Sequence, residues 1–314
     1  MNSRTGLSRR RMLAAGAGAA LAAMLARFPH AARAAEEPLK TRPIPHSGEQ
    51  LPIVGIGTAV VYDFENDPAK YAERRQVLQT FVAGGGRLID TAHSYGRAED
   101  RLGALIADLG VREKLFLATK FSYAADRATA TASLQASLRR LKTNRVDLMQ
   151  AWNVGDPNYD AGVLREWKQQ GFCRYVGMTT SSIRQYEAIA KALAREKPDF
   201  FQVNYSLGDR EAETLLLPAA RDAGAAVLIN LPFERNSLFR KAGGRPLPDF
   251  AAEFGARTWA QFFLKFILSH PAVTAVIPGT DKPEYMLDNL QAGRGPLPDA
   301  AMRRRMIQYW DALA

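Results

Sequence analysis

Cysteine is nearly absent. Cys173 is the only one in 314 residues, which excludes an internal disulfide framework and any cysteine-based metal cluster. Histidine is almost as scarce, with four in all, of which His46, His93 and His270 lie beyond the first 35 residues. A hydrolase built on clustered metal ligands is therefore disfavoured, and no metal is expected. No G-x-G-x-x-G stands between a strand-like and a helix-like segment, which argues against an open dinucleotide-binding sheet. No apolar run reaches the roughly 20 residues that a membrane-spanning helix needs. At 47% hydrophobic and 24% charged residues, the composition is that of an ordinary globular chain and not of a disordered or collagen-like one.

Acidic residues are missing altogether from the first 35 positions, which carry six arginines: Arg4, Arg9, Arg10, Arg11, Arg27 and Arg33. A basic start, an apolar stretch from Met12 to Ala26 and an A-x-A pattern at Ala32-Arg33-Ala34 follow the plan of an export signal cleaved near Ala34. Ser8-Arg9-Arg10-Arg11-Met12-Leu13 resembles the twin-arginine consensus, which implies the twin-arginine export machinery as a partner and a periplasmic or otherwise exported protein. No stable membrane anchor is expected. The formal charge of +10 suggests nucleic acid at first sight. Without residues 1–34 there remain 36 basic and 32 acidic residues, a net of +4, which is no nucleic-acid footprint. The densest remaining basic run, Arg303-Arg304-Arg305, reads as a solvated helix face.

Residues 35–314 read as one domain. Short apolar runs that mostly lack polar alternation recur at Ile53–Gly57, Arg87–Asp90, Leu115–Lys120, Val146–Gln150, Arg174–Met178, Phe200–Val203, Ala226–Asn230 and Val273–Ile277. Strands covered on both faces have this character. Helical periodicity separates them at Tyr71–Ala83, Ser133–Leu141, Ile183–Arg195, Ala212–Ala223 and Trp259–Leu268. The alternation predicts an α/β (β/α)8 barrel, a TIM barrel, behind the export signal. Thr41–Pro52, with its Ser47-Gly48 turn, predicts a hairpin across the barrel bottom. Asn230–Pro248 reads as a long rim loop over a ligand.

In such barrels the chemistry sits where strands end. The second strand ends in Asp90, followed by Tyr95, and the third ends in Lys120. An ammonium closing an apolar strand needs a partner, and Asp90 is the neighbouring one. Lys120 in turn can make the Tyr95 phenol a usable proton donor. A structural ion pair is the competing explanation.

Asp90-Thr91-Ala92-x-x-Tyr95-Gly96 followed by Lys120 resembles the aldo/keto reductase superfamily. Further similarity runs through Gly55-Ile56-Gly57-Thr58, Val146–Gln150, Tyr175–Thr180, Gln202–Ser206 and Val276–Thr280 with Asn289, over nearly the whole chain beyond the signal. The resemblance implies an oxidoreductase passing a hydride between a nicotinamide cofactor and a small aldehyde, ketone or alcohol. It implies Tyr95 as general acid, Lys120 and Asp90 as its supports, and Thr179, Thr180, Gln202 and Asn230 about the nicotinamide. Gly279, Thr280 and Asn289 would lie towards the adenosine end. NADP(H) is favoured over NAD(H) on the resemblance alone, because the loop after the eighth strand offers only Lys282 to a 2′-phosphate.

Two positions depart from the family pattern. Trp152 stands where a histidine is usual, two residues after Gln150. Indole donates one N–H and carries no proton, so carbonyl reduction should be weakened; Trp152 can still orient a carbonyl oxygen. Asn230 and Leu231 stand where an aromatic ring is common. These losses raise the alternative of an NADP(H)-binding or sensing protein with vestigial chemistry, against which stands the retention of Asp90, Tyr95 and Lys120 together. His93, on a strand-end turn, need not face the way Tyr95 does and reads as structural or solvent-facing. An exported nicotinamide enzyme also lacks an obvious cofactor pool, so the cofactor is expected to bind before export and to be recycled in place by a second substrate.

Two outcomes are expected. Protein recovered outside the cytoplasm begins at Ala35, and N-terminal sequencing that finds Met1 there contradicts the leader. Trp152→His raises turnover of simple aldehydes, since one well-aimed donor is worth on the order of 10²–10³ in rate; unchanged turnover counts against that role.

Overall fold

The computed structural model describes residues 37–313 apart from Ala124, so the leader falls outside the described residues. An antiparallel hairpin comes first, β1 (Thr41–Pro43) with β2 (Gln50–Pro52). Its turn closes through Gly48, whose φ of +73° suits glycine and whose N–H donates to Ile44 O at 2.8 Å. Ile44 and Leu51 are fully buried against Leu88, Phe116, Tyr175 and Phe200. The hairpin therefore plugs the barrel where its strands begin, as the Ser47-Gly48 turn predicted.

Eight parallel strands follow in sequential order: β3 (Ile56–Gly57), β4 (Leu88–Asp90), β5 (Phe116–Ser122), β6 (Val146–Trp152), β7 (Cys173–Thr180), β8 (Phe200–Asn204), β9 (Ala226–Asn230) and β10 (Ala275–Val276). Parallel bridges Val54↔Val276 and Gly57↔Gly279 join the last strand to the first, so the sheet curls into a (β/α)8 barrel. Glycine is required there, because a Cβ on Gly57 would stand 2.8 Å from Ile277 O.

Helices fill the crossovers: α1 (Pro68–Ala83), α2 (Ala98–Leu109), α3 (Arg127–Arg140), α4 (Gly162–Gln169), α5 (Tyr186–Glu196), α6 (Leu216–Asp222), α7 (Ser237–Ala242) and α8 (Trp259–Leu268). α9 (Pro283–Ala292) and α10 (Ala300–Ala312) follow β10. Local sequence sets their starts. Asp67 caps α1 by accepting from Ala69 N and Lys70 N at 3.0 Å, ahead of Pro68 at the first helical position.

The period-two alternation of the strands divides the core. Leu88, Phe116, Leu148, Tyr175, Phe200 and Leu228 fill the barrel lumen. Ile89, Leu117, Met149, Val176, Phe201 and Val227 face outwards and pack with the helices. Each such burial contributes about 1.5–3 kcal/mol. Among the described residues no helix is long and apolar enough to cross a membrane, and no group of three or more His, Cys, Asp or Glu could hold a metal ion.

Three local expectations need correction. The helix expected at Ala212–Ala223 becomes a 3₁₀ turn at Glu211–Glu213 and an α-helix from Leu216. Pro218 tolerates only the first turn of a helix and prevents the longer one. The stretch expected as a loop, Asn230–Pro248, contains α7, because Leu238 and Ala242 bury themselves one helical turn apart. Arg303 is not solvated: its guanidinium donates to Glu213 at 2.6 Å, to Tyr205 Oη at 2.7 Å and to Phe266 O, and so pins α10 to the barrel wall.

Candidate active site

Alternation along β4 turns Leu88 and Asp90 into the lumen and Ile89 out. Register then aligns Gly57, Asp90 and Ala118 on neighbouring strands, and Lys120 with Gln150 one step higher. Asp90 and Lys120 are 2% and 1% exposed. Two charges so deeply buried must be fully paired. Lys120 Nζ stands 2.5 Å from Asp90 Oδ2 and donates to Thr91 O at 2.9 Å. The other carboxylate oxygen, Oδ1, accepts from Gln202 Nε2 at 2.8 Å and Gln150 Nε2 at 3.1 Å. Asn230 Nδ2 reaches Gln202 Oε1 at 3.4 Å. Three other strands thus converge on the carboxylate that β4 carries.

Tyr95 hangs over this pair, its ring centroid 5.0 Å from Lys120 Nζ. Burial pulls the ammonium towards neutrality, but Asp90 and Tyr95 push the other way and win, so Lys120 is held above the usual lysine range and stays charged. The turn that carries Tyr95 is fixed from both sides. Tyr95 N donates to Ala92 O at 3.1 Å, and Gly96 takes φ +54° beneath Asp63, whose Oδ1 accepts from Arg97 N at 3.0 Å.

On β6 the residues Leu148, Gln150 and Trp152 share one face. Gln150 reaches Asp90 inside the barrel, so Trp152, half-buried, overhangs the mouth. The next residue, Asn153, is left-handed at φ +52° and is clamped by Thr179 Oγ1, which accepts its N–H at 3.0 Å, and by Gln185 Nε2, which donates to its carbonyl at 3.1 Å. Thr179 and Thr180, both expected beside a ligand, spend their hydroxyls on loops: Thr180 Oγ1 donates to Gln185 Oε1 at 2.7 Å. Thr280 and Asn289 bond to each other at 3.0 Å, beside Gly279 at the end of β10.

Two residues of this site carry no role in the sequence reading. Gln150 was legible from its place two residues before Trp152 on an alternating strand. His93 was not, because nothing in a turn sequence says which way an imidazole points. It is half-buried, its Nδ1 lies 3.0 Å from Lys120 O, and its ring meets Trp152 edge to face at 5.8 Å between centroids.

The rim on the β9–β10–β3 side is strained. Val60 is left-handed at φ +66° and 84% exposed, and Leu231 is left-handed at φ +49° and exposed. A β-branched residue there is a genuine outlier, costing about 1–3 kcal/mol. Glu234, Arg235 and Asn236 are also left-handed, and Glu234 holds Ser206 Oγ and Ser237 Oγ.

Residues 54–306 match the aldo/keto reductase family. The chain is 27% identical over 259 residues to aldo-keto reductase str7 of Strobilurus tenacellus, covering 70% of this chain and 76% of that protein. The holo form of aldo-keto reductase AKR11C1 from Bacillus halodurans superposes with a TM-score of 0.70 at 26% identity, over 88% of this chain and 97% of that one. An aldo/keto reductase from Klebsiella pneumoniae, solved with NADP and acetate, gives 0.72 at 23% identity over 86% and 95%, a likeness of fold.

Removing Lys120 alone should leave Asp90 charged and buried. Lys120→Met is expected to cost about 3–5 kcal/mol in urea unfolding, and adding Asp90→Asn should recover most of it. A double variant no more stable than the single one contradicts the pairing.

Proposed function

The chain belongs to the aldo/keto reductase family and is an NAD(P)-dependent oxidoreductase; on that premise we propose that it interconverts small aldehydes or ketones and alcohols, with Tyr95 moving the proton. The observation that carries this is the Tyr95 phenol set over a buried ammonium that Asp90 cannot release.

A nicotinamide fits the residues present. Gln150 Oε1 and Asn230 Oδ1 are buried acceptors without a partner among the described residues, at the top of the barrel, and a carboxamide N–H₂ would satisfy such atoms. Asn230 and Gln150 would hold that end, and the segment Gly279–Thr280 with Asn289 would shape the other. Arg74, 6% exposed, donates to Val61 O at 2.7 Å and to Asp281 O, tying the rim loops after β3 and β10 together there. When bound, the cofactor supplies or accepts the hydride. NADP(H) is favoured over NAD(H) because a relative of this fold holds NADP. Among this chain's own residues only Lys282 begins the loop into α9 with a positive charge.

Tyr95 donates its phenolic proton to the carbonyl oxygen as the carbon is reduced, and takes a proton back from the alcohol in reverse. The phenolate left behind faces the Lys120 ammonium, which stabilises it without moving. Asp90, Gln150 and Gln202 keep that ammonium in place. Trp152, whose indole N–H makes no hydrogen bond among the described residues, overhangs the same mouth and offers the carbonyl oxygen a second donor.

Export completes the proposal. The paired arginines and the A-x-A pattern address the protein to the twin-arginine machinery, which carries folded chains, so the cofactor travels with it and is recycled by a second substrate outside. The route is supported by the leader's residues and by a core that needs no disulfide, its one thiol, Cys173, being pushed by burial up to about 12.

Tyr95→Phe should lower kcat/KM by about 10²–10⁴ while NADPH still binds, seen by quenching of protein fluorescence. Residual turnover within a few-fold of the unaltered protein removes Tyr95 from the proton-transfer role.

A further inference from the structure

A carbonyl oxygen can only accept a hydrogen bond. The 3.0 Å contact between His93 Nδ1 and Lys120 O therefore requires the proton to sit on Nδ1. In the neutral ring this leaves Nε2 bare, an acceptor and not a donor. Nε2 takes no partner among the described residues, and the half-buried ring lies against Trp152 at the barrel mouth, on the same turn as Tyr95. The carbonyl that fixes the tautomer belongs to Lys120, whose side chain is paired with Asp90, so the ring is anchored to the strand that carries the buried ion pair.

We propose that His93 is a substrate-binding residue of this site, its bare Nε2 accepting a hydrogen bond from a hydroxyl next to the reacting carbonyl, so that the enzyme prefers 2-hydroxy aldehydes and ketones to plain ones.

The division of labour follows from atom types. Tyr95 O–H and Trp152 Nε1–H are donors and suit the carbonyl oxygen. A substrate hydroxyl beside that carbonyl needs an acceptor, and the charged acceptor nearby, Asp90, is already engaged by Lys120, Gln150 and Gln202. With Gln150 Oε1 and Asn230 Oδ1 assigned to the nicotinamide carboxamide, His93 Nε2 is a further acceptor at the mouth. A plain aldehyde that covers it leaves it unpaired, and an unpaired covered acceptor is penalised more than a satisfied one is rewarded. The largely apolar indole of Trp152 lies beside the same ring, which suits a short carbon chain.

The proposal rests on the reductase reading, and its test separates the two. Glyceraldehyde and propanal are compared as substrates with NADPH in the unaltered protein, in His93→Phe and in His93→Gln. The unaltered protein should favour glyceraldehyde in kcat/KM. His93→Phe should lower the glyceraldehyde-to-propanal ratio about tenfold, the effect of one such hydrogen bond, chiefly through KM. His93→Gln, whose amide oxygen can accept, should keep the ratio within about threefold. Nitrogen-15 spectra of the unaltered protein should show the neutral His93 ring protonated at Nδ1. Equal losses for both aldehydes in His93→Phe, or a ring protonated at Nε2, overturn the proposal. Turnover of neither aldehyde by the unaltered protein, with NADPH bound, overturns the reductase reading and this proposal with it.

Discussion

The contact between Asp90 and Lys120 is the constraint around which the upper half of the barrel is arranged. Neither charge can be left alone at 1–2% exposure. Their pairing dictates that Gln150 and Gln202 point their amides inwards from two other strands, and that Asn230 follows from a third. The lower half of the lumen has no such demand and is filled by Leu88, Phe116, Tyr175 and Phe200, capped by the hairpin. One end of the barrel is thus an apolar plug and the other a polar layer in which, among the described residues, Gln150 Oε1, Asn204 Oδ1 and Asn230 Oδ1 keep no partner. A site that holds a polar ligand against a preset ammonium needs this asymmetry.

Most of the backbone strain follows the same division. Among the described residues, Val60, Asn153, Leu231, Glu234, Arg235 and Asn236 take left-handed backbones in the loops that leave the carboxyl ends of β3, β6 and β9, while the other two left-handed non-glycines, Lys142 and Lys197, close helices at the opposite end. The loops of a barrel are free to carry such costs because the strands beneath them supply the stability. Asn153 shows what is gained: its turn is clamped by Thr179 and Gln185, and it sets the adjoining Trp152 over the mouth.

Much of this was legible in the sequence. Eight apolar runs marked the strands to within a few residues, because strands covered on both faces have no polar side to confuse the pattern. A lysine closing such a run demanded a carboxylate, and Asp90 was the neighbour. What escaped depended on tertiary packing or side-chain direction. Arg303 looked like part of a basic face until Glu213 and Tyr205 were brought to it by the curl of the barrel. Thr179 and Thr180 sit at a strand end, as a ligand-binding pair would, and the bracing of nearby loops by their hydroxyls was not legible in the sequence. His93 could not be oriented from a turn sequence, and only its contacts with Lys120 O and Trp152 show that it belongs to the mouth.

The central claim is that the Tyr95, Lys120 and Asp90 cluster serves the transfer of a hydride between a nicotinamide and a carbonyl carbon. Reduction of an aldehyde with NADPH deuterated on the transferring face of its nicotinamide tests it most directly, with the product analysed by mass and proton spectra. The account predicts one deuterium on the former carbonyl carbon for each cofactor oxidised. An alcohol product without deuterium at that carbon, whichever face carried the label, contradicts it.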